Sequence, residues 1–161
     1  MMLRWLLFAV FFVFCAGAGE QKAKQTKNMS RGWGNSISWV KSYEEALSKM
    51  VKSNKPLMVI HHREECPYCQ DLKKVFVAEK SIQTMAKEDF IMLNLVEETS
   101  DPNMAPDGYY VPRIIFVDPS KTVRADISGI HPENLYTYSP ADIQSLVNNM
   151  KKAKSLIHTE L

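Results

Sequence analysis

One stretch limits what this chain can fold into. Four apolar residues, Leu57-Met58-Val59-Ile60, run into a charged turn, His61-His62-Arg63-Glu64-Glu65, and Cys66-Pro67-Tyr68-Cys69 follows at once. Leu72, Val75 and Phe76 then recur at helical spacing, which predicts a buried strand, a turn, and a helix that opens at the two cysteines. The free N–H groups and positive end of a helix stabilise a thiolate. Two sulfurs three residues apart at a helix start can also close on each other. Thiol–disulfide exchange needs both properties, with the outer Cys66 as nucleophile and Cys69 as the resolving thiol. This chemistry asks for no cofactor and no metal. The competing reading, half of a zinc site, is short of ligands: zinc usually takes four, and only His61 or His62 lies close in sequence.

The ends of the chain read as addresses. Residues 1–4 form a short basic start and residues 5–15 are almost wholly apolar. Ala16-Gly17-Ala18 offers small residues for cleavage. Residues 1–18 are therefore expected to be a secretory signal peptide, too short to span a membrane, so the mature chain is expected to have no membrane span. The last four residues, His158-Thr159-Glu160-Leu161, end in the Glu-Leu of signals that hold proteins in the endoplasmic reticulum. His and Thr stand in the first two places, so partial secretion is expected. Cleavage removes Cys15, and of three cysteines only Cys66 and Cys69 remain. An oxidising compartment with no cysteines left for a structural framework leaves this pair for chemistry. The formal net charge of +2 loses Arg4 with the leader, and no basic stripe points to nucleic acid.

Residues 19–30 read as a disordered leader, with Asn28-Met29-Ser30 a candidate N-glycosylation site at Asn28. The ordered domain is expected over 31–161. Ser42-Tyr43-Glu44-Glu45 has capping-box spacing, with Glu45 reaching back, and predicts a helix to about Lys52 whose inner stripe is Tyr43, Ala46, Leu47 and Met50. A short helical piece over 81–86 and a second buried strand over 90–96 follow. Residues 97–109 read as a polar loop. Val111-Pro112 opens a third strand over 113–117, and residues 122–127 read as the return arm of a hairpin. Ser139, Pro140 and Asp142 signal the start of the last helix, with Ile143, Leu146, Val147, Met150 and Ile157 as its apolar face. Strand, helix, strand, proline-led strand and closing helix give an α/β fold with a mixed central sheet flanked by helices. This order, with the cysteines at the second helix, matches a thioredoxin fold.

From Ser30 to Leu161 the chain resembles the anterior gradient proteins, small secretory-pathway members of the protein disulfide isomerase family. The likeness rests on Ser30-Arg31-Gly32-Trp33-Gly34, Tyr43-Glu44-Glu45-Ala46-Leu47, Lys55-Pro56-Leu57-Met58-Val59-Ile60-His61-His62, Pro106-Asp107-Gly108 and Tyr110-Val111-Pro112-Arg113-Ile114. Phe116-Val117-Asp118-Pro119-Ser120, Thr122-Val123-Arg124-Ala125-Asp126-Ile127 and Asn149-Met150-Lys151-Lys152-Ala153 extend it. The resemblance implies a protein that assists disulfide formation in secreted clients, mucins among them, through mixed disulfides. It also implies homodimers, with Glu45 and Lys49 at the contact, and cell-surface receptor or adhesion partners. A secreted ligand acting in development, regeneration or epithelia is the alternative function. In the thioredoxin fold the residues at Val111-Pro112 lie against the cysteines and pair with the bound client. With Pro67 and Tyr68 they are the expected client contacts. The resemblance implies a cis Val111–Pro112 bond; an ordinary trans proline opening an edge strand is the other reading.

Three departures from the wider pattern matter. Anterior gradient proteins often carry Cys-x-x-Ser, whereas Cys69 here restores a resolving thiol. Thioredoxins place a proton-relaying carboxylate six residues before the first cysteine, where this chain has Ile60. Glu65, with Glu64 beside it, replaces the usual aromatic residue and is expected to disfavour a thiolate at Cys66. His61 and His62 end a strand on opposite faces, so both cannot serve the sulfurs; each reads as packed or surface structure more readily than as a proton shuttle.

Overall fold

The computed structural model describes residues 29–158. The expected signal peptide, Asn28, and Thr159, Glu160 and Leu161 of the tail lie outside the described residues. Seven elements carry the fold: α1 (Tyr43–Ser53), β1 (Leu57–His61), α2 (Pro67–Ala78), α3 (Lys80–Glu88), β2 (Ile91–Leu95), β3 (Arg113–Val117) and α4 (Ile143–Ser155). The strands lie in the order β2-β1-β3, with β1 parallel to β2 and antiparallel to β3. The parallel pair follows from the α2–α3 crossover, and the result is the mixed, helix-flanked sheet of a thioredoxin-like α/β fold.

Alternation along β1 separates two apolar layers. Met58 and Ile60 face α2, α3 and α4, where Leu72, Phe76, Ile82, Leu146 and Met150 close the larger core. Leu57 and Val59 face α1, meeting Ala46 and Met50. All five residues of β1 are buried: the apolar run extends one residue into the expected turn, to His61, His62 is buried as well, and the chain reaches the surface only at Arg63.

Several local expectations change. Ser42 caps α1 by accepting the Glu45 N–H at 3.1 Å, but the Glu45 carboxylate accepts from the Lys41 N–H at 2.8 Å instead of closing the box on Ser42. The loop over 97–109 is not wholly polar: Met104 sits in a 3-10 turn, Pro102–Met104, and is buried under α1's layer. The hairpin after β3 shrinks to one bridge, Val117 to Val123: the Asp118 turn brings the chain back, and a second turn, closed by the Ile127 N–H on the Arg124 carbonyl at 3.1 Å, takes it off the sheet edge. In the last helix Asp142 accepts the Ser139 N–H at 2.6 Å, and Pro140–Asp142 forms a 3-10 turn leading into α4. Ile157 falls outside the core face, since a final 3-10 turn, Leu156–His158, rotates it away; Ala153 and Leu156 pack there instead. No helix among the described residues is long and apolar enough to cross a membrane.

Candidate active site

β1, the central strand, delivers the chain to its own C-terminal end, and the turn after it places Cys66 at the N-cap of α2. Cys66 Sγ accepts the Cys69 backbone N–H at 3.1 Å, and Pro67 occupies the first helical position, where no N–H is needed. A thiolate at Cys66 would therefore receive a helix-end hydrogen bond directly. Cys66 and Cys69 are joined as a disulfide, their Cα atoms 5.2 Å apart. Cys66 is half-buried and Cys69 fully buried, so an incoming sulfur meets Cys66 first.

Beside the disulfide lies a groove of about 430 Å³. Tyr68 and Asp71 border it from α2, Tyr110, Val111 and Pro112 form one wall, and residues of the 134–140 segment form the other. The Val111–Pro112 bond is cis, as the resemblance implied. Tyr68 is 78% exposed. Of the expected client contacts, Tyr68, Val111 and Pro112 line the groove, while Pro67 is exposed at the helix start and does not.

The sheet end and the chain segment that crosses it are buried and bring no carboxylate to the site. Ile60 is buried and stands opposite Asn94 in the parallel register. Asn94 Nδ2 donates to the carbonyls of Met29 and Ser30, at 3.1 and 2.9 Å, which holds the incoming chain across the sheet. That chain buries Trp33, whose ring meets Phe76 edge-on at 5.1 Å and His62 at 5.3 Å. Gly34, at φ +137°, lets it pass Gln83, which donates to the carbonyls of Trp33 and Phe76 at 3.2 Å. In the sequence Trp33 stands only within the run that carries the family likeness, yet its buried ring packs on His62 next to the turn that leads to Cys66.

His61 and His62 do face opposite ways, and neither is a surface residue: both are buried. Burial, with Lys73 and Arg31 nearby, holds His62 down at about 4, and its ring nitrogens have no hydrogen-bond partner. Burial and the Arg113 guanidinium hold His61 down at about 3, with Glu98 Oε2 4.0 Å from its Nε2. Both are neutral imidazoles at physiological pH.

Arg113 is the residue the sequence reading passed over. It is fully buried; its Nε donates to the Met104 carbonyl at 3.0 Å and its other nitrogens to the Tyr110 carbonyl at 2.7 Å and the Glu98 carboxylate at 2.6 Å. These bonds fold the 97–112 loop onto the head of β3, where Val111 and Pro112 share the groove with Tyr68. A charged residue opening the otherwise apolar run Arg113-Ile114-Ile115-Phe116-Val117 was the available signal.

Glu64 and Glu65 are exposed at the rim, and Glu64 pairs with Arg31 at 3.5 Å. Glu45 and Lys49 lie on α1, in the layer away from α2, and pair with each other at 2.9 Å. The Lys41 N–H first, then Lys49, hold the Glu45 carboxyl below its usual value. Among the described residues, no group of three or more His, Cys, Asp or Glu side chains is arranged to hold a metal ion.

A family profile described as thioredoxin-like matches residues 38–119, the span from the chain ahead of α1 to the turn after β3. Anterior gradient protein 3 of Mus musculus is 61% identical over 142 residues, covering 88% of this chain and 85% of the mouse protein. The human protein of the same name is 59% identical, over 88% and 84%. Anterior gradient protein 1 of Xenopus laevis is 57% identical, over 87% and 76%. Among solved structures, a DsbH oxidoreductase aligns over 71% of this chain and 85% of its own at 14% identity, with a TM-score of 0.49. The chain belongs to the anterior gradient family of thioredoxin-like proteins.

Proposed function

We propose that this protein is a thiol–disulfide oxidoreductase that forms and rearranges disulfides in secreted clients, mucins among them, in the lumen of the endoplasmic reticulum, with a fraction secreted. The observation that carries this reading is the half-buried Cys66 Sγ at the start of α2, taking the Cys69 N–H at 3.1 Å beside a groove walled by Val111 and Pro112.

From the disulfide form, a client thiolate attacks Cys66 Sγ. The Cys66–Cys69 bond breaks, a client–Cys66 disulfide forms, and Cys69 leaves as a thiolate. A second client thiolate then attacks the client sulfur of that bond, so the client gains a disulfide and Cys66 leaves as a thiolate. Two electrons pass from client to protein. From the dithiol form, Cys66 thiolate attacks a wrong client disulfide, and the freed client thiolate either re-pairs or leaves Cys69 to clear the intermediate. The part exposure of Cys66 and the burial of Cys69 suit this division of labour.

A Cys69→Ser variant is expected to accumulate client–Cys66 disulfides, detected by thiol trapping and mass spectrometry, and Cys66→Ser to form none. A Cys66→Ser, Cys69→Ser double variant that folds clients as well as the wild type would overturn the reading and leave the ligand role implied by the family.

A further inference from the structure

We propose that Asp107 and Tyr110 form a brace that sets the width of the groove beside the disulfide, and so sets affinity for extended polypeptide clients without taking part in sulfur exchange. This rests on the proposed function, because it assigns the groove to the client chain.

The two walls come from distant parts of the sequence. One is Tyr110-Val111-Pro112; the other is the 134–140 segment that leads into α4. One backbone bond ties them at the base, Ile114 N–H to the Tyr136 carbonyl at 2.9 Å. At the rim the connection is made by two side chains. Tyr110 Oη donates to the Asp107 carboxylate, 2.8 Å from either oxygen, and accepts the Tyr136 N–H at 3.0 Å. Asp107 Oδ2 also accepts the Leu135 N–H at 2.7 Å. Consecutive amides of one wall thus end on a phenol and a carboxylate of the other. Burial, reinforced by Asp107, pushes the Tyr110 phenol above its ordinary value, so it stays a donor at any physiological pH. Arg113 holds the same residue from behind through the Tyr110 carbonyl. Neither Asp107 nor the Tyr110 hydroxyl bonds to the cysteines or the residues between them, so the pair positions a wall and leaves the disulfide's own hydrogen bond untouched.

Three variants separate this from a general structural role. Tyr110→Phe keeps the ring that lines the groove and deletes only the bridging oxygen. Asp107→Ala removes the acceptor, and Asp107→Asn retains one acceptor oxygen. Binding is read by anisotropy with fluorescein-labelled, reduced and carboxymethylated ribonuclease A, an unfolded chain without free thiols. Exchange is read with glutathione disulfide, too small to need both walls. Tyr110→Phe and Asp107→Ala are expected to weaken polypeptide binding about three- to tenfold, the value of one to two lost hydrogen bonds, with Asp107→Asn within about twofold of wild type. Glutathione exchange should fall by less than polypeptide affinity in all three, and the double variant Tyr110→Phe, Asp107→Ala should bind at least as weakly as either single, since each single keeps one of the two bonds to the 134–140 wall.

Unchanged binding in Tyr110→Phe and Asp107→Ala would overturn the brace. So would binding and glutathione exchange falling together, or a wild type that does not bind the polypeptide. A wild type that binds it but exchanges no disulfide would refute the proposed function while the variants still judge the brace.

Discussion

The floor beneath the disulfide and the rim around it are built from opposite materials. The floor is Ile60, Asn94, Trp33 and His62, all buried and all uncharged at physiological pH. The rim is Arg63, Glu64, Glu65 and Tyr68, all exposed. A charge in the floor would act on the sulfurs through a low dielectric, whereas water and salt weaken one on the rim. Cys66 therefore depends mainly on the end of α2, whose N–H bond it receives, and the rim adds a small correction. Cys69, facing the apolar side, has no carboxylate in the floor to take its proton.

Restoring charge to the floor should give the largest effect. Ile60→Glu buries a carboxylate with no partner and is expected to cost about 3–5 kcal/mol in urea denaturation. Adding Asn94→Lys, opposite in the register, should recover part of that loss by pairing the charge. The pair would also supply a proton acceptor, so the resolving attack by Cys69 on a preformed mixed disulfide should speed up about tenfold or more at pH 7. Stopped-flow release of a labelled peptide measures it. Resolution at the wild-type rate in a folded double variant would show that proton transfer through the floor does not limit the reaction.

The second effect comes from the histidine already in the floor. His62 has its folded value lowered to about 4, from about 6.5 when unfolded, so below 6.5 the unfolded chain takes up a proton that the folded chain refuses. Stability is full above 6.5 and is lost as pH falls toward 4. His61, held at about 3, acts in the same direction. Each should cost about 2 kcal/mol between pH 7.5 and 5. His62→Phe preserves an aromatic ring against Trp33 and should remove roughly half of that acid sensitivity, seen as urea midpoints at pH 7.5 and 5. If the variant loses as much stability as the wild type over that interval, the floor is wetter than its burial implies.

The same division explains what could be read from the sequence. β1, α2 and β3 were legible because long apolar runs, a helix-start proline and a charged turn each have local causes. The cysteine pair and the proline of Val111-Pro112 were legible because their chemistry fixes residue type and spacing. Trp33 was not, because its role depends on a segment crossing the sheet to reach Asn94, 64 residues on from Ser30. Arg113 and the Asp107–Tyr110 brace were missed for the same reason: each partner looks like ordinary loop polarity until the fold brings the two walls together. The return arm over 122–127 is shorter than its sequence suggests, since a turn after Arg124, closed by the Ile127 N–H, ends the pairing after a single bridge.

The smallest effect belongs to the rim, and there the structure divides two residues that looked equivalent in sequence. Glu64 and Glu65 both precede Cys66, but the Glu64 carboxylate lies 3.5 Å from Arg31 and its field is already offset. Glu65 has no such partner. Glu65→Gln should therefore move the pH midpoint of Cys66 alkylation down by about 0.3 in a Cys69→Ser background, and the shift should shrink as ionic strength rises. Glu64→Gln leaves Arg31 unopposed, so it should also lower the midpoint, and Arg31→Gln should move it the other way. A Glu64 effect that survives unchanged in the Arg31→Gln background would mean that the two residues act on Cys66 independently. If neither glutamate variant moves the midpoint, the end of α2 alone sets Cys66 and the rim has no part in its chemistry.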